Sequence, residues 1–439
     1  MVVRGDGTLM NEEFAARTPV ETIHSGPAAS AIGGIFLSDQ KEALIVDVGG
    51  TTTDLALIQN GKVTVSEEGA TTAGYKTSVK AADLLSIGLG GDSYIHVERK
   101  NDIKLGPERV VPLAYLAYQH PNVRARLKSL SNQTFPAPSP NELEYWFLQR
   151  ENVDEEAFSR REQTIIQTLR SGPKPASAVL EKLGVLAQSQ VEMEALWREE
   201  VIGKSGLTPT DLLHVDGRHT PWDTEAPEAA LSVFSHYFSL EIDELTEILW
   251  DKITEITIKA ILLFLTEKDI PDEDTDDDDL GKWFLSNSIF PNHPQLKTQI
   301  KLTYPIIGIG APAKVMLKEA AERLHTDLVL PDHYYVANAV GAVAGSVMIT
   351  EEILIYPHLS SDKLDIISFY VQARDERKEI EELEDALRYA REYGAERARS
   401  AALRSGAANP QVDVEIHEDG MDSYRVKAIA IGNPRIGEH

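Results

Sequence analysis

Two acids, two glycines and three threonines stand together at residues 47–54, Asp-Val-Gly-Gly-Thr-Thr-Thr-Asp. Gly49 and Gly50 put no Cβ between the backbone N–H groups and an approaching anion, and the hydroxyls of Thr51, Thr52 and Thr53 add side-chain donors. Asp47 and Asp54 flank this cradle as carboxylates suited to holding a hydrated Mg2+ or orienting a water. The chemistry such a group serves is the holding of phosphates. The plain alternative is a tight hairpin, which also favours Gly and Thr.

The elements that must position these residues are short and apolar. Residues 43–48, 55–58 and 63–66 read as strands, and Asn60-Gly61 tolerates the positive φ of a type I′ hairpin turn. A second Gly-rich turn, Gly88-Leu89-Gly90-Gly91-Asp92-Ser93, follows the run at 79–85. An extra carboxylate at Asp92 repels a triphosphate unless a metal or a catalytic water lies between them. A third turn, Gly308-Ile309-Gly310-Ala311-Pro312, follows a strand at 301–307 and precedes a helix, a strand at 327–330 and a helix through Val347 and Met348. That order is a βαβα signature. Upstream, His24-Ser25-Gly26-Pro27 opens a small-residue helix, with Ser25 or Gly26 as N-cap and Pro27 in the first turn. Its N-terminus is either an anion site or simply a tightly packed helix end, since Gly33-Gly34 allows close approach.

The remainder is less charged with chemistry. Residues 110–205 read as mostly helical, with helices over 142–170 and 175–204 and a Pro/Ser linker at 131–141. Trp146, Phe147 and Trp197 read there as core residues. Thr208, Pro209 and Asp211 mark a helix start. His214, Asp216, His219 and Asp223 match no common metal-ligand spacing. A long amphipathic helix covers 241–265. Asp272, Asp274 and Asp276 imitate a calcium loop, but Asp277 stands where Gly is needed and Trp283 where Glu is needed, so a solvated acidic loop is expected. A charged helix over 374–408 and a hairpin of 412–416 with 424–431 close the chain.

At 439 residues there is length for two or three domains. A formal charge of −27 repels phosphate backbones, so nucleic acid is not an expected partner. With no cysteine there are no disulfides, thiolate metal sites or Cys nucleophile, which suits a cytoplasmic setting. No apolar run reaches the ~20 residues of a membrane span, and no membrane partner is expected.

Ser-Gly-Pro-Ala-Ala-Ser at 25–30, the 47–54 motif, Thr-Pro-Thr-Asp at 208–211 with Trp222-Asp223, and Gly-Ile-Gly-Ala-Pro at 308–312 with Ala-Asn-Ala-Val-Gly-Ala at 337–342 occur in one order. In that order they resemble the hydantoinase A/5-oxoprolinase family of the actin, Hsp70 and sugar-kinase ATPase superfamily. Asp92, Asp216 and Ile309 depart from the family pattern.

The resemblance implies an α/β, actin-like ATPase fold of ribonuclease-H-like domains with a mostly helical insertion. Its parts would be a phosphate-hairpin portion at 1–109, the insertion at 110–205, the rest of the ATPase-like domain at 206–350, and a charged helix with a hairpin at 351–439. It implies ATP-dependent hydrolysis of a cyclic amide of the hydantoin or 5-oxoproline type, with ATP and Mg2+ as cofactors. Asp47, Asp54 and Asp92 would be catalytic, and Asp47 and Asp54 would also hold the metal. Gly49, Gly50, Thr51, Thr52, Thr53, Gly90, Gly91, Ser25 and Gly26 would bind phosphate, with Gly308, Gly310 and Ala311 under the adenosine. Family chains begin with a further N-terminal domain, so either that half or a hydantoinase B-type subunit is an expected partner, and a homo-oligomer stays open. A nucleotide-dependent switch and a small-molecule kinase are the rival readings.

Overall fold

The computed structural model describes residues 1–66, 71–72, 75–77, 79, 81–98, 102–133, 138–150, 152–267, 279–360, 365–420 and 422–435. The acidic run with Asp272, Asp274 and Asp276 lies outside the described residues. The chain is a mixed α/β protein of two compact units: Met1–Ala43, Ala56–Asp83 and Val336–His439 form one, Leu44–Leu55 and Leu84–Tyr335 the other. Among the described residues, no helix is long and apolar enough to cross a membrane.

One sheet orders the strands Leu84–Ile87, Thr53–Gln59, Ala43–Val48, Ile306–Ile309 and Leu328–Val329. Ile306–Ile309 runs parallel to Ala43–Val48 and places Ile309 opposite Asp47. Both strands are near-continuous apolar runs, as strands covered on both faces require. The hairpin after Gln59 has the expected turn: Asn60 and Gly61 take φ of 54° and 72°, and Ile58 pairs antiparallel with Val63. The Ile242–Thr266 helix buries Leu245, Leu249, Ile253, Ile258 and Ile261, apolar positions recurring every three to five residues.

Residues 110–206 differ from the sequence expectation. In place of two long helices there is a four-stranded sheet in the order Val111–Pro112, Ile202–Gly206, Tyr145–Leu148, Lys174–Pro175. The helices Arg160–Leu169 and Ala176–Leu183 accompany it. The first starts only at Arg160, because Ser159 and Glu162 close a capping box. The second stops at Gly184, which takes the left-handed cap with φ 69°. Trp146 is fully buried in this core, and Trp197 packs edge-on against it at 6.0 Å.

In the other unit, a five-stranded antiparallel sheet orders Arg377–Ile380, Ile366–Gln372, Val347–Leu359, Ser423–Pro434 and Ala407–Gly420. The Leu383–Arg404 helix lies on it through Ala386, Ala390, Gly394, Ala398 and Ala402. This small-residue stripe lets helix and sheet approach closely; a Cβ on Gly394 would stand 3.3 Å from Ile353. The helix is shorter than the sequence suggests, because Arg377–Ile380 pairs as an edge strand instead. The Ala337–Ala344 helix likewise ends early, at extended Gly345, and Val347 starts a strand of 13 residues. It packs against the Ser25–Ser38 helix so tightly that a Cβ on Gly33 would collide with the Ala337 carbonyl, and one on Gly341 with that of Ala29.

Candidate functional site

Asp47 is the one half-buried residue of an otherwise buried strand. Its carboxylate sits against the third Gly-rich turn: a Cβ on Gly310 would lie 2.8 Å from Asp47 Oδ1 and would collide with the Val48 carbonyl. Gly310 takes φ 88°, a backbone that L side chains rarely adopt, and its N–H bonds the Tyr334 carbonyl at 3.0 Å. Beside it Ala311 is exposed. Gly49 N–H closes the 47–54 turn on the Thr52 carbonyl at 2.9 Å. Among the described residues, the N–H groups of Gly50 and Thr51 donate no backbone hydrogen bond. Two donors with this freedom are what an anion cradle needs.

The second Gly-rich turn is fastened to the first. Gly91 N–H donates to the Gly49 carbonyl at 3.0 Å and Asp92 N–H to the Gly50 carbonyl at 2.8 Å. A Cβ on Gly90 would stand 2.5 Å from the Gly50 carbonyl, so glycine there is a packing requirement. Two further motifs meet at Gly91: its Cβ would lie 2.9 Å from Thr210 Oγ1 and 3.2 Å from Pro312 Cγ. Thr210 N–H in turn donates to the Gly91 carbonyl at 2.8 Å. Residues 49–50, 90–92, 210 and 310–312 thus converge on one spot within a single unit.

Asp92 receives Arg109 through Nε at 3.2 Å and Nη2 at 3.1 Å, both on Oδ2. Burial raises its pKa, while Arg109 and the Thr210 side chain favour the charged form. The cation that offsets this extra carboxylate is therefore a guanidinium. Neither Arg109 nor Thr210 was singled out in the sequence. Thr210 sits in a recognised motif but hides behind the helix-capping role of its neighbours, and Arg109 has no motif around it at all.

Asp211 explains why the Pro209–Val215 helix sits where it does. Its carboxylate accepts hydrogen bonds from the N–H groups of Leu113, Ala114 and Thr208 and from the Thr208 hydroxyl, at 3.2, 2.7, 2.9 and 2.8 Å. Complete burial pushes its pKa up to about 7 against those bonds.

Several expected site residues have other tasks. Thr53 is 1% exposed and its hydroxyl donates to the Leu89 carbonyl at 2.7 Å, so it braces the turn from behind and is not turned toward a phosphate. Thr52 Oγ1 donates to Asp54 Oδ2 at 3.3 Å, and Thr51 is exposed at the tip. Gly308 is buried under Leu317, Leu328 and Leu330, each within 3.2 Å of where a Cβ would be, and makes room for packing. Ser25 and Gly26 begin a helix of the other unit whose N-cap is His24 with φ 61°, rather than Ser25 or Gly26. There Asn338 Nδ2 donates to the Gly26 carbonyl at 3.0 Å. His214 is buried, stacks on Trp222 and donates from Nδ1 to the Thr210 carbonyl at 2.8 Å. Asp216 accepts from Trp250 Nε1 at 3.1 Å, and Asp223 holds Arg124 at 2.9 Å.

Arg109 also lines a cavity of about 630 Å3 with Tyr115, Phe147, Trp197, Gly203 and Lys204. Lys204, nearly buried, pairs with Glu108 at 2.9 Å. Its walls combine aromatic and aliphatic side chains with the polar or charged ends of Glu108, Arg109, Gln119, His120, Gln149 and Lys204, so a ligand there would meet apolar faces and several charged groups together. Phe147 and Trp197, read from the sequence as core, serve the core with one side and this cavity with the other.

Residues 1–115 match the hydantoinase/oxoprolinase family. An uncharacterized protein of Methanocaldococcus jannaschii is 29% identical over 120 residues, covering 24% of this chain and 18% of that protein. The acetone carboxylase beta subunit of Xanthobacter autotrophicus is 33% identical over 99 residues, covering 22% of this chain and 14% of that one. The solved nucleotide-free acetone carboxylase is 14% identical, with a TM-score of 0.54 over 99% of this chain and 52% of its own. The ATP-dependent caprolactamase from Pseudomonas jessenii is 12% identical, with a TM-score of 0.48 over 99% of this chain and 53% of its own. The chain therefore shares its fold with the acetone carboxylase chain and spans about half of that chain's length. Its first 115 residues carry the sequence of the hydantoinase/oxoprolinase family.

Proposed function

We propose that this chain is the nucleotide-handling half of an ATP-dependent enzyme that activates a carbonyl, with a cyclic amide of the hydantoin or 5-oxoproline type as substrate. The observation that carries this reading is the convergence of Gly49–Gly50, Gly90–Asp92, Thr210 and Gly310–Pro312 on one spot. The fold would be of the actin-like, ribonuclease-H-like kind. A hydantoinase B-type subunit or a preceding N-terminal half would complete the enzyme. ATP as co-substrate is supported by the likeness to the solved acetone carboxylase, which is described as ATP-dependent.

The phosphates would rest on the Gly50 and Thr51 N–H groups and the Thr51 hydroxyl. Asp47 and Asp54 offer carboxylate oxygens and Thr51 and Thr52 hydroxyls, a hard-oxygen donor set that fits Mg2+. Bound there, Mg2+ would neutralise phosphate charge. The amide oxygen attacks the γ-phosphorus and the bond to the ADP oxygen breaks. Water then adds to the activated carbon. The C–N bond breaks with the nitrogen taking a proton, and a second water hydrolyses the acyl phosphate to carboxylate and phosphate. Arg109, which pairs with Asp92 and also lines the neighbouring cavity, would steady charge on the transferring group.

Calorimetric titration of ATP–Mg2+ into the chain, followed by ADP release with hydantoin or 5-oxoproline and the completing subunit, tests this. Binding together with substrate-dependent ADP release is the expected result. Binding with release that ignores the amide would favour the switch reading, and absence of binding would remove the nucleotide reading altogether.

A further inference from the structure

Five arginines of one unit line a single cavity of about 890 Å3: Arg4, Arg17, Arg374, Arg397 and Arg404. They come from separate pieces of chain. Arg4 follows the first strand, Arg17 lies in the last turn of the Glu12–Arg17 helix, and Arg374 sits in the turn between Ile366–Gln372 and Arg377–Ile380. Arg397 and Arg404 stand seven residues apart on the Leu383–Arg404 helix, two turns on one face, with small Ala401 between them leaving room. The small-residue stripe beside that face is buried on the sheet, so the helix carrying the two arginines is held by the packing beneath it.

Some of this charge is already spent. Arg4 pairs with Glu21 at 2.6 Å, and Arg397 with Asp375 at 2.8 Å and Glu351 at 3.4 Å. Among the described residues, Arg17, Arg374 and Arg404 have no carboxylate partner, and Glu13 is the lining acid that pairs with none of the five. The lining sets five guanidiniums against the four carboxylates of Glu13, Glu21, Glu351 and Asp375, so in a chain of net charge −27 this cavity keeps a balance of one positive charge. The fixed, forked donors of guanidinium match the oxygens of phosphate and carboxylate.

We propose that this cavity binds a small oxyanion with two or more negative charges, an organic phosphate or a polycarboxylate, at a site separate from the nucleotide turns. Arg17, Arg374 and Arg404 supply the uncommitted donors, and Arg397, fixed by its own carboxylates, lines the same cavity.

Calorimetric titration of the full chain with pyrophosphate and with citrate, at ionic strength held constant by NaCl, tests the site. The parent should bind one or both probes saturably. Arg374→Gln/Arg404→Gln should weaken that binding at least tenfold, and Arg17→Gln should weaken it separately, with the circular dichroism spectrum unchanged in each. Pyrophosphate alone would identify phosphate as the ligand chemistry; citrate, alone or with pyrophosphate, would extend it to carboxylates. No saturable binding by the parent overturns the proposal. So does unchanged affinity in both arginine variants, or binding lost in Gly50→Val and kept in the arginine variants, which would assign the anion to the phosphate turn. Because citrate carries no nucleotide, a failed ATP titration would leave this result standing, and the reverse also holds.

Discussion

Arg109 reaches one oxygen of Asp92 with two nitrogens, at 3.1 and 3.2 Å, across a turn whose glycine neighbour would place a Cβ 2.8 Å from that same oxygen. Asp92 thus lies directly over Gly50 with its charge answered from the outer side. Removing the guanidinium leaves a carboxylate beside the proposed phosphates. Arg109→Gln should therefore weaken ATP binding about tenfold, on the scale of ~1.4 kcal/mol. The thermal midpoint should barely move, because Arg109 is 62% exposed and such pairs add little stability. Calorimetry and a melting curve on the same sample read both, and unaltered ATP affinity would contradict the placement.

Gly310 is needed for two reasons at once: its φ of 88° and the carbonyl of Val48 standing where a Cβ would go. Gly310→Ala should cost at least ~2 kcal/mol by urea unfolding, more than left-handed backbone alone typically costs for a non-glycine residue. Gly26→Ala, with nothing within 4 Å of its Cβ, is the matched control and should change stability by under ~0.5 kcal/mol. Equal stability of the two variants would mean the turn can open without loss.

What could be read from the sequence were the features written in local chemistry. Asn60-Gly61 specified its hairpin, and the apolar spacing of the Ile242–Thr266 helix located it within a residue of the expected 241–265. What could not be read needed the chain to close on itself. The Asp92–Arg109 pair joins a motif to a stretch with none. Thr53 looks like Thr51 and Thr52 in the sequence, yet strand alternation sends its hydroxyl to the Leu89 carbonyl. Residues 142–170 have helical apolar spacing, but the Tyr145–Leu148 strand finds Ile202–Gly206 as a partner, and tertiary pairing overrides the local preference.

His214 gives a pH prediction. Burial lowers its pKa below the usual imidazole value of about 6.5. Its Nδ1–H is committed to the Thr210 carbonyl, and among the described residues Nε2 has no hydrogen-bond partner. Below about pH 6.5 the unfolded chain takes up a proton that the folded chain refuses, so folding stability falls as pH falls. The loss is bounded by ~1.4 kcal/mol per pH unit. Between pH 7.5 and pH 5, urea unfolding of the parent should lose more stability than His214→Gln does, and identical slopes would show that the imidazole protonates freely in the fold.

Asp47 is the residue on which the nucleotide reading is most exposed to test. It stands at the end of a strand whose other residues are all buried, opposite Ile309 and against Gly310. An oxygen there can serve a hydrated cation, whereas a purely structural carboxylate would be satisfied by any isosteric acceptor. Asn keeps the shape and one oxygen, removes the charge and puts an NH2 donor in place of the second acceptor oxygen. Asp47→Asn should therefore leave the free energy of urea unfolding within ~0.5 kcal/mol of the parent. ATP binding at saturating Mg2+ should fall at least tenfold, a ~1.4 kcal/mol effect, and the parent's gain in affinity on adding Mg2+ should shrink in the variant. A charge needed only for the fold would produce the opposite pattern, with stability lost and the Mg2+ dependence of any remaining binding intact. Both quantities come from titrations with and without Mg2+ on the two proteins side by side. Equal affinities in all four would reduce residues 47–54 to a hairpin that happens to be rich in glycine and threonine.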